Sequence, residues 1–366
     1  MPYQPKKKNI KVLFMTQYSG KGSPSAQMRA YNYIPLLEKK GFSCTVSPAQ
    51  GYRYFHNHPA LKIFVIGILT TAKRFFDIFR IRKYDVVYLQ REVYQTSVFP
   101  VFEWIYSKLN KNMVFDFDDA IYLDNRFIPD IFGFSKEIIV GNENLKQYVL
   151  KHSKDGKGKN ITVIPTPIRE EDVKLIKDYS KAKKDETIVV GWLGNVKPHL
   201  NNLAMVKPVI KKLGAKHKIE FRIIGSLGNK DIGKMYADVP CTTIAHSVDV
   251  LEAAKEIVKF DMGIMPLEDN EWNAGKCAKK LLDYMGVGLA TVSSPVGMNA
   301  DLIEDGKNGF SARSEKEWFD KLEKLIVDNK LRKRMGFCAR ETILKGYLLS
   351  PCADRLAEVL VRAAKE

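Results

Sequence analysis

Short apolar blocks alternate with amphipathic stretches along most of the chain. IKVLFMT (10–16), FSCTVS (42–47), DVVYLQ (85–90), MVFDFD (113–118), EIIVGN (137–142) and ITVIPT (161–166) are rich in β-branched and aromatic residues. Runs of this length with little polar alternation read as strands buried on both faces of a parallel sheet. Between the first two, Ala26–Lys40 repeats Met28, Tyr31, Ile34, Leu36 and Leu37 at helical spacing, and Gly41 stops it. A lysine-rich stretch without a strand pattern follows at 169–186 and reads as a linker. The alternation then resumes. ETIVVGWLG (186–194), EFRIIGS (220–226), DMGIMPL (261–267) and LATVSS (289–294) are strands, with helices around Leu203–Leu213, Leu251–Lys259, Ala278–Met285 and Trp318–Leu325. Two successive βαβ arrays predict an α/β chain of two Rossmann-like domains with parallel sheets, facing each other. The expected boundaries are a first domain at 1–168, a linker at 169–186 and a second domain at 187–348. A terminal helix at 349–366 is placed to pack back on the first domain.

Composition narrows the class. With 45% hydrophobic and 28% charged residues, 366 residues bury a sizeable core. The net charge of +17 and pI near 9.4 predict attraction to an anionic partner: nucleic acid, an anionic membrane or a phosphate-bearing substrate. A nucleic-acid binder needs a basic stripe interleaved with exposed aromatics. Most aromatics here fall in apolar elements, so nucleic acid is not the expected partner. Cys44, Cys241, Cys277, Cys338 and Cys352 are dispersed. That argues for a reducing compartment and against a disulfide framework or zinc site. MPYQPKKKN leads into a strand pattern rather than a signal peptide, and no apolar run reaches the roughly 18–20 residues of a membrane span. A cytoplasmic protein is expected, with peripheral contact to the inner face of the membrane as an option. Phe64–Lys83 bears on that option. Phe64, Val65, Ile68, Leu69, Ala72, Phe75, Phe76 and Phe79 form a broad apolar face, with Lys73, Arg74, Arg80, Arg82 and Lys83 on its flanks. It reads either as a core helix on the first sheet or as a helix lying at a membrane interface.

Three segments carry candidate chemistry. In GKCAKKLLDYMGVGLATVSSPVG (275–297), Lys276 and Lys280 stand at the mouth of a helix that follows a strand. A helix N-terminus presents unpaired N–H groups to anions, and two lysines one turn apart would add charge for a diphosphate. Solvated surface lysines are the alternative. DFDDAIYLD (116–124) puts Asp116 and Asp118 at the end of a strand, followed by Asp119. A carboxylate there can accept a hydroxyl proton. Otherwise these acids cap the next helix or pair with Arg91 or Arg126. Arg91 and Glu92 end the preceding strand. In SGKGSPSAQMRA (19–30), Gly20 and Gly22 permit close backbone approach after the first strand, and Ser25 suits a helix N-cap. The segment lacks the signature of an ATP-cleaving phosphate loop.

The run Lys280–Gly297 (KLLDYMGVGLATVSSPVG), continued by IEDGKNGF (303–310), resembles the donor-binding segment of family-4-like GT-B glycosyltransferases, the glycosyltransferases group 1. The resemblance implies the GT-B fold. It also implies retaining transfer of a sugar from a nucleotide-diphosphate donor to a hydroxyl acceptor, lipid-linked or in a cell-envelope glycan. Under it Lys276 and Lys280 clamp the diphosphate, Asp283 takes the place of the glutamate that binds the ribose, and Gly194, Asn195 and Lys197 lie at the turn after the first strand of the donor domain. Gly275 stands where the family has a sugar-touching glutamate, a place Glu268 or Glu271 could fill. Asp118 and Asp119 would lie beside the acceptor, with Gly20, Gly22, Arg91 and Glu92 around it. The paired aspartates resemble the metal-binding D-x-D of the other glycosyltransferase fold class, but the two-domain pattern does not. No metal and no cofactor beyond the nucleotide-sugar substrate are expected. A sugar-nucleotide epimerase or phosphorylase of this fold, or a catalytically silent relative, is the alternative.

Overall fold

The computed structural model describes residues 9–20, 23–50, 60–94, 98–153, 160–181, 187–226, 229–244 and 250–365. The chain divides into two compact units, Met1–Pro167 with Leu349–Glu366, and Ile168–Leu348.

The first unit holds a six-stranded sheet: β1 Ile10–Tyr18, β2 Phe42–Gln50, β3 Val86–Gln90, β4 Met113–Phe117, β5 Glu137–Val140 and β6 Asn160–Val163. The order is β2-β1-β3-β4-β5-β6, and every pairing is parallel. Val12 to Met15 and all of β3 are buried, as the unbroken apolar runs require. The chain order reverses between β1 and β3, and ligands of open α/β sheets bind outside the carboxyl ends of strands at such a switch point.

The expected helix over 26–40 is broken. Pro24–Ala26 is followed by a π-helical turn, Gln27–Tyr31, and a separate helix, Ile34–Lys39. Pro35 cannot donate a backbone hydrogen bond, so the helix restarts around it. The widened turn carries Arg29 inward, where it is buried. Ser25 lies inside the first piece and Ser23 is the N-cap residue, which corrects the capping role expected of Ser25. Leu349–Ala364 is a helix whose Cys352, Leu356, Ala357, Val359 and Leu360 are buried in one cluster with Val12, Phe14 and Tyr88 of the sheet.

The helix Ala60–Arg80 does not turn its apolar stripe inward. Thr70, Arg74 and Asp77 are buried, while Ile68, Leu69, Phe75, Phe76 and Phe79 are exposed. Arg74, expected on a solvated flank, is a core residue. It pairs with Asp77 at 3.0 Å and donates to the Ser47 and Thr16 carbonyls at 3.0 and 2.7 Å. Phe64 and Val65 lie among residues whose side chains fall outside the described part.

The second unit holds β7 Ile188–Leu193, β8 Ile219–Ile224, β9 Cys241–Ile244, β10 Met262–Met265, β11 Ala290–Ser293 and β12 Phe310–Ser311, ordered β12-β11-β10-β7-β8-β9. All pairings are again parallel. The switch point here falls between β7 and β10. The described part of the expected linker packs on this unit. Val173 is in its core, Lys177 pairs with Asp261 at 3.0 Å, and the Tyr179 hydroxyl donates to the Gly288 carbonyl at 3.0 Å.

Two glycines shape the switch point. Gly191 of β7 and Gly263 of β10 are paired in register. A Cβ on Gly191 would stand 1.9 Å from the Phe260 ring, and one on Gly263 would stand 2.4 Å from the Tyr284 ring. Tyr284 belongs to the helix Lys279–Gly286. Its hydroxyl oxygen accepts the Leu193 N–H at 2.7 Å. The missing side chain on Gly263 thus leaves room for Tyr284 of the helix, and that on Gly191 leaves room for Phe260. At the other end, Gly288 N–H donates to the Met285 carbonyl and Leu289 N–H to the Tyr284 carbonyl, closing the helix as a Schellman-type turn with Gly288 at φ 80°.

Candidate active site

The carboxyl end of β7 passes into Gly194 at φ 150°. A Cβ there would lie 2.5 Å from Lys280 Cε, so only glycine leaves the space that this lysine fills. Lys280 Nζ is 3.1 Å from His199 Nε2 and 5.2 Å from the centroid of the Trp192 ring. His199 closes the short 3-10 turn Lys197–His199 and is buried. Its Nδ1 lies 3.0 Å from Asn202 Nδ2.

The protonation of this group follows from its neighbours. Asn202 Oδ1 accepts the Glu268 N–H at 2.9 Å and an Asn273 amide hydrogen at 3.4 Å. The Asn202 amide nitrogen is thereby turned toward His199 Nδ1. Burial, then Lys280 and Lys276, push the imidazole down to about 2, so the ring is neutral, and Lys280, which can only donate, faces its Nε2. Asn273 continues the chain of contacts. It accepts from Lys276 Nζ at 2.6 Å and donates to the Glu268 carbonyl at 2.9 Å. Lys276 and Lys280 are thus tied through Asn273, Asn202 and His199 at the carboxyl ends of β7 and β10. Such a constellation of fixed donors and cations, with Gly194 beside it, suits a diphosphate.

In the first unit the carboxyl ends of β3 and β4 carry charge. Arg91 has φ 62°, unusual for a side chain of its size. Its N–H donates to the Asp116 carbonyl at 2.8 Å. Its guanidinium bonds Asp119 and lies 3.5 Å from Asp118. Burial alone would lower the Arg91 pKa; Asp119 and Asp118 outweigh that and raise it. The Ser25 hydroxyl donates to Asp118 at 3.1 Å and accepts from Gln90 at 3.2 Å. Asp116 is held apart from this cluster. It is wholly buried and forms a bidentate pair with Arg29, which also donates to the Ile164 carbonyl at 2.6 Å. Glu92 is buried and its Oε2 has no hydrogen-bond partner. Desolvation lifts its carboxyl to about 7, against the opposing pull of Arg91.

Residues 187–328 match the family model described as glycosyl transferases group 1. That match lies within the second unit. Solved structures agree on the fold of the whole chain. A glycosyltransferase of Rickettsia africae superposes with a TM-score of 0.71 at 11% identity, covering 98% of this chain and 100% of its own. Sucrose-phosphate synthase of Thermosynechococcus elongatus gives 0.71 at 10% identity, covering 96% and 98%. Anabaena HepE, solved in complex with UDP and glucose, gives 0.66 at 14% identity, covering 96% and 99%. The fold is GT-B. No curated protein matches the sequence significantly.

The sequence candidates fall into three groups. Gly194, Lys276 and Lys280 come together, but not by helical spacing. Ala278 is the N-cap residue of Lys279–Gly286, in a left-handed conformation at φ 49°, and Lys276 precedes the helix. Asn195 and Lys197 are exposed, with the Lys197 N–H donating to Asn195 Oδ1 at 3.2 Å. Asp283 stands outside the lysine network: it pairs with Lys279 beside Asp172 and Val173, and burial raises its pKa against the pull of Lys279. Glu268 enters the network through its backbone, while the Glu271 side chain is exposed. In the first unit, Asp118, Asp119 and Arg91 form one cluster. Gly20 is backed by Tyr31 and Gln27, 2.8 and 2.9 Å from where its Cβ would be, and Gly22 lies outside the described residues. His199, Asn202 and Asn273 were not singled out by sequence reasoning. Their signal was faint: single polar residues beside NVKPHL and in EWNAG, with no spacing that marks a site.

Proposed function

We propose that the protein transfers a sugar, with retention of anomeric configuration, from a nucleoside-diphosphate donor to a hydroxyl of a lipid-linked or cell-envelope glycan. The second unit binds the donor. The observation that carries this reading is the Lys276–Asn273–Asn202–His199–Lys280 network at the switch point of a group 1 glycosyltransferase domain. Fixed cations there offset the charge that develops on the departing diphosphate, which is where preorganised electrostatics lowers a barrier most. A neutral His199 adds no charge of its own and holds Lys280 in place. No metal is required for that stabilisation. The UDP complex of HepE supports a uridine nucleotide as the first donor to try. In the first unit, the acceptor meets the Arg91–Asp118–Asp119 cluster, with Glu92 as the carboxyl best matched to proton transfer near neutral pH.

The test is calorimetric titration with UDP and UDP-sugars in EDTA, on the parent and on Lys280→Ala. A charge-assisted contact is worth about 1.5–3 kcal/mol, so the variant should bind UDP roughly ten- to a hundredfold more weakly. Folding should hardly change, because the lysine tip lies at the rim of the core. Equal affinity in parent and variant, or binding that requires a divalent ion, would overturn the reading.

A further inference from the structure

The helix Ala60–Arg80 reverses the usual partition of a surface helix. Thr70, Arg74 and Asp77 face the protein and are 3%, 1% and 2% exposed. Arg74 and Asp77 are tied there: the Ser47 hydroxyl bonds Asp77 at 2.9 Å, Arg80 donates to Asp77 at 2.8 Å, and the Tyr106 hydroxyl donates to the Arg74 carbonyl at 2.9 Å. Leu69, Phe76 and Phe79 on the outer side are 63%, 68% and 66% exposed, joined by Ile68 and Phe75. Phe75 and Phe79 pack edge to face, 5.4 Å between centroids, so the outer side is a continuous aromatic ridge. The helix Val101–Leu109 lies against it and adds exposed Val101 and Trp104.

Charge around this ridge has one sign. Lys73, Arg82, Lys83 and Lys108 are exposed. The acids of the two helices, Asp77 and Glu103, are each 2% exposed and turned inward. An apolar ridge whose exposed charges, among the described residues of these two helices and Ile81–Lys83, are all cations is complementary to an anionic lipid surface, which takes phenylalanines into the acyl boundary and lysines at the headgroups. A second copy of the chain fits poorly, because a two-fold contact of this face with itself would set like charges against each other. Among the described residues, no helix is long and apolar enough to cross a membrane, so contact by this ridge is shallow.

We infer that the outer face of Ala60–Arg80, with Val101 and Trp104 beside it, docks the protein on an anionic membrane. The inference is independent of the donor reading, since it rests on the first unit alone. It also supplies the means by which a lipid-linked acceptor would be met.

The experiment is co-sedimentation of the full chain with vesicles of phosphatidylcholine alone, or with about one third phosphatidylglycerol, at low salt. Binding to the anionic vesicles is expected, with release as salt shortens the screening length to roughly 3 Å near 1 M. Phe76→Ser with Phe79→Ser should weaken binding at least about tenfold while leaving the melting curve intact, because both side chains are already in water. Arg82→Glu with Lys83→Glu should remove the preference for anionic over neutral vesicles, each lost cation being worth about fivefold. Equal recovery on neutral and anionic vesicles would overturn the proposal. So would a serine variant that binds like the parent. A concentration-dependent dimer that the serine variant abolishes, without vesicle binding by the parent, would assign the ridge to self-association instead.

Discussion

At the scale of single residues, the candidate site rests on polar groups whose state is set by burial. Glu92 is the clearest case. Its carboxyl sits at about 7 rather than the usual 4.5 because water has been removed from it, and Arg91 only partly compensates. The folded protein therefore holds a proton on Glu92 that the unfolded chain releases between about pH 4.5 and 7. The stabilisation is complete below the unfolded value and is lost as pH rises through the folded one. Glu92→Gln cannot ionise, so it should flatten the stability profile over that window and leave the variant more stable than the parent at pH 8, by roughly 2–3 kcal/mol. Urea denaturation of both proteins at pH 4.5, 6 and 8 checks this; parallel profiles would mean that Glu92 is not desolvated. Residues of this kind were only half legible. The sequence placed Glu92 and Arg91 at a strand end, because strand ends follow from apolar runs. It could not show that Arg91 adopts φ 62° or that Asp116 is tied to Arg29, since both depend on contacts from elements far along the chain.

At the scale of elements, strand positions were largely readable because continuous apolar runs of four to six residues have few other uses. Two strands escaped, β9 Cys241–Ile244 and β12 Phe310–Ser311. Both lie at sheet edges; β9 is partly exposed with two threonines, and β12 spans two residues, so neither makes an apolar run. The helix Ala60–Arg80 was located but its orientation was not, because periodicity gives a stripe without saying whether it meets the sheet or the solvent. The helix Lys279–Gly286 shows how packing positions a candidate side chain. Lys280 is positioned by the docking of Lys279–Gly286, and that docking needs Gly263 bare beneath Tyr284. Gly263→Ala would place a methyl 2.4 Å from the ring. Overpacking of this kind costs about 1–3 kcal/mol and should tilt the helix, weakening UDP binding as well. Tyr284→Phe keeps the ring and strands the Leu193 N–H, a loss of about 1–3 kcal/mol without the steric push. Chemical denaturation with UDP titration separates them: both variants should lose stability, and Gly263→Ala should lose more affinity. Unchanged UDP affinity in Gly263→Ala would show that the lysine does not depend on this packing.

At the scale of the whole molecule, the two ends of the chain are far apart in sequence but belong to one compact unit. The last helix, Leu349–Ala364, belongs to the unit that opens the chain, while Ile168–Leu348 forms the other. Its alanines and leucines lie against β1, β3 and β4, so the first sheet lacks one of its covering layers until the final residues have been made. The parallel strands of that sheet, buried on both sides, leave no polar face for water to cover in its place. A defect in the terminal helix should therefore be felt at the opposite end of the sequence. Leu356 is 1% exposed in the cluster with Val12, Phe14 and Tyr88. Leu356→Ala deletes buried methyl groups there and should cost the first unit about 2–5 kcal/mol. The second unit has its own core around Trp192, Leu203 and Trp318 and should keep its stability. Hydrogen exchange read by mass spectrometry distinguishes the two. Amides of β1, β3 and β4 should exchange faster in the variant, while those of β7, β8 and β10 keep the rates of the parent. Equal acceleration in both sheets would mean that the units unfold as one, and acceleration confined to the terminal helix would mean that the first sheet stands without it.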